Sequence, residues 1–536
     1  MASIIDPKFK RGFWQDGEPF VWGTAAALSA ILISITILIA VIMVNGLGVM
    51  WPSDVALLSL QDGAQVFGLP LREDPILGSD AINLQIKTGN RDLYGADFRW
   101  VEKGTVRAIE YPSDVYTLER MEYGNFYGRF KRLGDGAAPA SSEDLEKAWQ
   151  AGQEEKERIA AAAEEVNALS RRIDGISGRV LKLKHSGTPE NDATLQGLLG
   201  EQETAKQELQ GRMAEQSALT QALLAHTATF VDAGGREMTI PLMNIVRLYQ
   251  PSQMGIGAKS RFYLSKIGEL LFDEPRESNT EGGLFPAIFG TVMLTFLMSL
   301  LSFPLGLLAG IYLREYAREG IFIRIVRIAV NNLAGIPSIV YGIFGLGFFV
   351  YGIGGTIDAW FFPERLPTPT FGTGGILWAS LTLGILTVPV VIVSTEEALG
   401  AIPRGIREGA YALGSTKFQT LVRVLLPMAS PGIMTGFILA MARAAGEVAP
   451  LMITGVVKLA PTLPLDAEYP FLHLDRKFMH LGFHIFDIGF QSPNVEAAKP
   501  MVFVTTLLLV LIVLLMSSTA IYMRGRMRER YSVRSL

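Results

Sequence analysis

"EGAYALGSTKFQTLVRVLLP" (residues 408–427) reads as two short helices joined by a hinge. Gly414 can take the left-handed conformation that ends the first helix. Thr416, with Gln419 three residues on, makes a capping box that starts the second. Pro427 suits a turn into whatever follows. Outward from the hinge the chain becomes apolar on both sides. Residues 366–395 carry no charge, and beyond Arg423 runs a stretch that contains "GFILAMARAAGEVAPLMITG" (436–455). A hinged helix pair between two membrane-length stretches is a connector at a bilayer surface, so the fold expected is that of a polytopic membrane protein.

The whole chain agrees. Of 536 residues, 49% are hydrophobic and only 19% charged, the balance of an integral membrane protein with a soluble part. Uncharged stretches run over 19–53, 282–313, 328–357, 366–395 and 500–523. Each exceeds the roughly 20 residues that cross a hydrocarbon core. With the stretch after Arg423 they predict six spans. The first is too long and lacks a small-residue cleavage pattern, so it reads as a span and not a cleavable signal peptide. Orientation follows from basic residues. Lys8, Lys10, Arg11, Arg314, Arg318, Arg324, Arg327, Arg404, Arg407, Lys417, Arg423, Arg524, Arg526, Arg528, Arg530 and Arg534 fall on one side; Arg365, Lys458, Arg476, Lys477 and Lys499 fall in the short loops on the other. Both termini are expected in the cytoplasm of an inner-membrane protein. A net charge of −4 gives no sign of a nucleic-acid partner. The absence of cysteine excludes disulfides and thiolate chemistry.

The segment 47–283 between the first two spans is too polar to lie in a membrane and is expected outside. Ile159, Val166, Ile173 and Val180 recur every seven residues, as do Ala162, Leu169, Ile176 and Leu183 three places on. That is the seam of a coiled coil. "SGTPEN" (186–191) breaks it, and a weaker return run follows through Leu195, Leu198, Ala205, Leu209, Leu219 and Leu223, with Gln202, Arg212 and Gln216 on its seam positions. An antiparallel hairpin over about 142–225 is predicted. The flanks, "GTVRAIEY", "DVYTLERMEYGNFYGRF" and "ATFVDAGGREMTIPLMNIVRLY", are rich in β-branched and aromatic residues and predict a small β module carrying the hairpin. Residues 254–265 and "KIGELLF" suggest an amphipathic helix returning to the membrane. The hairpin suits either a spacer or a docking element.

Two charges stand inside the fifth span. Counted from a start near Gly432, Arg443 lies about 16 Å along at 1.5 Å per residue, near the middle of a roughly 30 Å core. Glu447 is four residues on and shares its helix face. An arginine there costs at least about 2.5 kcal/mol, so it needs a partner or a polar cavity. The pair either braces helices or lines the path of an oxyanion, whose geometry the guanidinium fork matches. Ala442, Ala444, Ala445 and Gly446 beside it are small enough for close packing.

The hinge segment resembles the EAA motif of ABC-importer permeases: Glu-Ala-Ala, three residues, Gly, nine residues, Ile-x-Leu-Pro. Glu408, Gly409 and Ala410 are followed by Gly414 and then Val424, Leu426 and Pro427 at that spacing. Gly409 replaces the middle alanine and Val424 the isoleucine. "GGLFPAIFGTVMLTFLMSLLSFPLGLLAGIYLREYA" (282–317), "NNLAGIPSIVYGIFGLGFF" (331–349), "IPRGIREGAYALGSTKFQT" (402–420) and "FMHLGFHIFDIGFQSPNVEAAKP" (478–500) are similar to the phosphate-specific, PstA-type permeases. The resemblance covers roughly 282–536 and the first span, not the coiled-coil insert. It implies an ABC-importer permease fold, mainly α, and a subunit that moves inorganic phosphate inward. It implies a homologous permease, two copies of a cytoplasmic ATPase and a periplasmic phosphate-binding protein as partners. Arg407, Glu408, Gly409, Ala410, Gly414, Thr416, Leu426 and Pro427 would form the ATPase-coupling loop within 397–431. Arg443 and Glu447 would belong to the translocation path.

No stretch fits G-x-x-x-x-G-K-[ST], so ATP hydrolysis is expected of a separate subunit, and no cofactor is implied. His473, His480 and His484 sit in the outer loop 458–499, but no carboxylate completes a zinc-motif ligand set. "AGIPSIVYGIFGLG", with Pro337, suits close packing or a cavity lining. Two alternatives stay open: a permease for sulfate or molybdate, and a non-transporting scaffold that recruits an envelope enzyme through the coiled coil.

Overall fold

The structure is a computed structural model that describes residues 17–76, 80–134, 141–467, 469–492 and 494–531. Lys8, Lys10, Arg11 and Arg534 of the orientation argument lie outside these residues. Among the described residues, six helices are long and apolar enough to cross a membrane: Glu18–Gly48, Phe285–Tyr316, Ser338–Phe361, Ile376–Gly400, Lys417–Gly446 and Val495–Arg526. The fourth is the most enclosed, packing on the second and fifth. Leu294 and Met298 of the second span, Tyr341 of the third, Leu383 and Leu386 of the fourth and Ala444 of the fifth share one buried core. The first span packs on the sixth, where Gly46 lets it approach the backbone at Phe503 and Val504.

Two spans depart from expectation. The uncharged stretch 328–357 is not one helix. An amphipathic helix, Ile321–Leu333, ends before Pro337, and the third span begins only at Ser338. Proline offers no N–H to the preceding turn and pushes the residue before it out of the helical region. The span then runs past the point where charge counting stops it. Asp358 is buried there because it accepts the backbone N–H groups of Phe371 (2.9 Å) and Gly372 (2.6 Å). The fifth span starts at Lys417, within the hinge segment itself, and not near Gly432.

Between the first two spans lie two five-stranded antiparallel sheets. The first has the order β4-β3-β2-β1-β5, from β1 (Ala56–Leu60), β2 (Gln65–Pro75), β3 (Ile82–Lys87), β4 (Phe98–Glu102) and β5 (Val106–Glu110). The second has the order β10-β6-β7-β8-β9, from β6 (Val115–Arg120), β7 (Phe126–Leu133), β8 (Thr227–Val231), β9 (Glu237–Pro241) and β10 (Ile245–Tyr249). The sequence pointed to β5–β10; β1–β4 were not foreseen. Val55, Leu57 and Phe67 from the first sheet pack with Val115 and Tyr127 from the second, which fuses the two.

Helices Ser142–His185 and Ala193–Leu224 rise from between paired strands β7 and β8 and pack on each other. Ile159, Ile173, Ile176 and Val180 are buried along the first, Leu195, Ala205 and Leu223 along the second. Gln202 is tolerated because its amide donates to Ser177 Oγ at 2.6 Å. Leu219 corrects the expected return run. It faces solvent while Gln216, Thr220 and Leu223, spaced 4 and 3 apart, turn inward. The hairpin is fixed at its foot: Leu145 lies in the core of the second sheet, and Trp149 Nε1 and Gln153 Nε2 both donate to the Ile245 carbonyl at 3.0 Å.

The amphipathic helix Ile256–Phe272 returns the chain toward the second span. Its Glu269 receives Lys266, Arg247 of β10 and Arg276 of the following strap, so one buried carboxylate ties the second sheet to the entry of the membrane domain.

Candidate functional site

The hinge folds as its residues dictate. The helix Arg404–Ala412 ends at Gly414, whose φ is +80°. Gly414 N–H reaches the Tyr411 carbonyl (2.9 Å) and Ser415 N–H the Ala410 carbonyl (3.1 Å), the two bonds of a Schellman motif. Gln419 N–H donates to Thr416 Oγ1 at 3.2 Å, and Thr416 N–H to Gln419 Oε1 at 3.0 Å, completing the capping box. Pro427 makes no turn, contrary to the sequence reading. A π turn over Leu421–Leu425 precedes it, with Leu426 N–H reaching back to the Leu421 carbonyl, and the helix continues to Gly446. The shifted ladder absorbs the donor that proline lacks.

This segment is seated on the spans above it. Ile402, Leu421, Leu425, Ala429 and Ile433 are buried with Ile311 of the second span and Leu399 of the fourth, and Leu426 packs at their edge. Arg407, grouped by sequence with the surface residues, turns inward. Its guanidinium donates to the carbonyls of Leu399 (2.6 Å) and Ile402 (2.8 Å) and pairs with Glu315 at 3.0 Å. Lys417 sits 4.7 Å over the Tyr316 ring. Glu408, Gly409, Gly414 and Thr416 face outward, and Ala410 is half-buried. Three side chains that sequence reasoning missed join them: Tyr411, Leu413 (89% exposed) and Phe418 (66% exposed). Their signal was legible as apolar residues flanking a hinge whose buried face was already filled.

Arg443 and Glu447 do meet, at 3.5 Å from Nε to Oε1. They do not share a helix face, because the helix ends at Gly446 and Glu447 is extended (φ −79°, ψ 134°). Pro450 explains the break, since its ring would clash with the Gly446 carbonyl and cannot donate to it. A short helix, Ala449–Thr454, follows.

Depth is read from the fourth span. Gly432 approaches Ala398, Gly436 approaches Ser394, and Gly455 approaches Gly375. A Cβ added at Gly436 would stand 2.3 Å from that of Ser394. Each pair sums to the same register, which sets Arg443 level with Thr387, halfway along Ile376–Gly400. Ala444 and Ala445 beside it are buried, whereas the Arg443 side chain is 36% exposed and Glu447 20%. A guanidinium with one loose contact, open space and a broken helix beside it can engage an anion.

The histidines do not converge. His473 contacts Asp466 (3.0 Å), His480 accepts from Gly482 N–H, and His484 lies by Thr505.

Residues 302–529 match the family described as "binding-protein-dependent transport system inner membrane component". A "Probable phosphate transport system permease protein PstA" of Methanocaldococcus jannaschii is 38% identical over 189 residues, 35% of this chain and 60% of that one. A "Phosphate transport system permease protein PstA" of Yersinia pestis is 37% identical over 188 residues, 35% of this chain and 58% of that one. A "Probable ABC transporter permease protein YqgI" of Bacillus subtilis is 31% identical over 223 residues, 40% of this chain and 70% of that one. The chain therefore spans less than two thirds of the two relatives named for phosphate.

Proposed function

The chain belongs to the family of binding-protein-dependent transport system inner membrane components, and on that premise we propose that it is the permease subunit of an ATP-driven importer of inorganic phosphate. The observation that carries this reading is Arg443, a permanent cation halfway along the fourth span with a single ion-pair contact, at 3.5 Å, among the described residues. Phosphate crossing a hydrocarbon core needs its charge met on the way, and a planar fork of N–H donors does so. Glu447 weakens the hold, since conduction needs release as well as entry. The relatives named for phosphate favour that anion over sulfate or molybdate.

ATP hydrolysis falls to a partner ATPase dimer docking on the hinge segment, where Glu408, Tyr411, Leu413 and Phe418 are presented. Burial of Ile402, Leu421 and Leu425 against the second and fourth spans offers a route for its motion into the bundle. A homologous permease and a periplasmic phosphate-binding protein complete the assembly. Both termini lie in the cytoplasm, and the sheets with their coiled-coil hairpin in the periplasm. The test is labelled phosphate uptake in a deletion strain rescued with wild type or Gly414→Asp, with ATPase co-purification scored alongside. Wild type should restore uptake and the variant should lose both. Uptake competed equally by sulfate or molybdate would overturn the phosphate assignment.

A further inference from the structure

Away from the hinge and Arg443, a cavity of about 490 Å³ opens where four parts of the chain meet. Its walls are the first sheet and its loop at Lys87, Arg91 and Asp97, the β6–β7 turn at 121–125, the strap 275–281 that leads to the second span, and the start of the sixth span at Asn494. That volume is within the range of small-molecule sites, roughly 300–1,000 Å³. The lining differs from most such sites in being crowded with charge.

Part of that charge is used up in building the walls. Glu277 binds Arg91 and accepts Gly124 N–H at 2.9 Å, and Arg276 binds Glu269. Asn494 donates to Asp97 Oδ2 at 2.6 Å. The remainder is unspent. Lys87 and Glu281 both line the cavity, yet neither has a hydrogen bond or an ion pair within 4.0 Å among the described residues. Asp97, already bonded to Asn494, is met as well by Arg91 at 3.6 Å, and its Oδ1, like Arg276 Nε, is closed off from the space. One ammonium and one carboxylate are left over around one space. Buried polar groups without partners are costly, so the chemistry of an occupant can be read from them.

We propose that this cavity binds a zwitterion of lipid-headgroup size, which offers an anionic oxygen group to Lys87 and a primary ammonium to Glu281. A lone anion leaves Glu281 unmet, and a lone cation leaves Lys87 unmet. A quaternary ammonium has the right charge but no N–H to donate. Titration behaviour agrees. Burial pushes the Glu281 carboxyl up, ahead of the lowering by Lys87. Burial lowers the Lys87 ammonium, but Tyr127, Glu281 and Asp97 outweigh it and hold it above its ordinary value, so it stays charged. Phosphoethanolamine carries this pair of groups, either free on glycerol or as the head of a membrane lipid. The cavity's place at the start of the sixth span suits both sources.

The experiment uses the full chain in nanodiscs of phosphatidylglycerol and measures binding of glycerophosphoethanolamine by calorimetry. Binding is expected, with glycerophosphocholine at least 10-fold weaker and glycerol phosphate weaker still. Lys87→Met and Glu281→Gln should each weaken binding at least 10-fold while the melting profile stays cooperative. Adding phosphatidylethanolamine to the discs separates the sources. Loss of binding by competition assigns the lipid, and unchanged binding assigns the free molecule. Equal affinity for the choline analogue, or no binding of glycerophosphoethanolamine in either disc, would overturn the proposal. That comparison needs only wild-type protein, so it holds even if a variant misfolds.

Discussion

Arg407 and Arg443 lie 36 residues apart on one continuous stretch of chain, each four or more residues from a hinge or break, and each is paired to a glutamate. Their surroundings differ completely. Arg407 holds two carbonyls and Glu315, all within 3.0 Å, and is 16% exposed. Arg443 holds one carboxylate at 3.5 Å and is 36% exposed. A guanidinium has five N–H donors. Arg407 spends its donors on the protein and fixes the hinge segment to the ends of the second and fourth spans. Arg443 keeps most of its donors in hand, with one carboxylate contact among the described residues. On the proposed function, those donors are what a passing anion would meet.

Arg443→Ala tests the contrast hardest. Phosphate uptake should fall about 10- to 100-fold, the rate equivalent of roughly 1.5–3 kcal/mol for hydrogen bonds between charged groups. Insertion and ATPase co-purification should be unchanged. Uptake within a few-fold of wild type would reduce the Arg443–Glu447 pair to a brace.

The satisfied side of the comparison is sharpened at Glu269. Burial alone raises its carboxyl, but Lys266, Arg276 and Arg247 outweigh burial and bring it down to about 2. A depressed carboxylate contributes stability that is present above its ordinary value near 4.5 and lost as pH falls toward 2. Glu269→Gln should therefore lower the melting temperature clearly at pH 7. The gap from wild type should narrow below pH 4.5 and close near pH 2. A gap that ignores pH would mean the residue acts by packing alone. Arg407→Ala should have a smaller effect, about 2 kcal/mol for its charge-assisted hydrogen bonds, seen as faster proteolysis of the hinge and weaker ATPase co-purification. Uptake should then recover at low temperature, which Arg443→Ala does not allow.

Local chemistry made part of this legible from sequence. The Gly414 cap and the Thr416–Gln419 box depend on residues within five positions of each other, and charge-free runs pointed to five of the six apolar helices. What escaped depended on distant partners or on backbone geometry without a residue signature. Arg407 faces inward because Glu315, 92 residues earlier, comes to meet it. Asp358 hid the end of the third span because a later loop caps it with two N–H groups. β1–β4 were missed because β2 carries "REDP", a charged run that pairs with β3 alone, while β1 pairs only with the start of β2. Pro427 signalled a turn, since nothing in "LVRVL" announces a π turn. The Arg443–Glu447 spacing predicted contact correctly but for the wrong reason, as Pro450 ends the helix between them.

The mildest test separates the two roles a glycine can play. Gly436 has no room for a side chain, whereas Gly414 has nothing within 4 Å of where a Cβ would stand. Only the φ of +80° constrains Gly414. Gly414→Ala should therefore cost about 1 kcal/mol, the penalty of a left-handed L-residue, and lower uptake several-fold through a hinge that populates other conformations. Gly414→Asn should cost less, because its side chain tolerates that region. If alanine and asparagine behave alike and both abolish uptake, the position acts through steric contact with a docked partner and not through backbone conformation. Graded loss, with asparagine the milder, ties coupling to the geometry of the hinge.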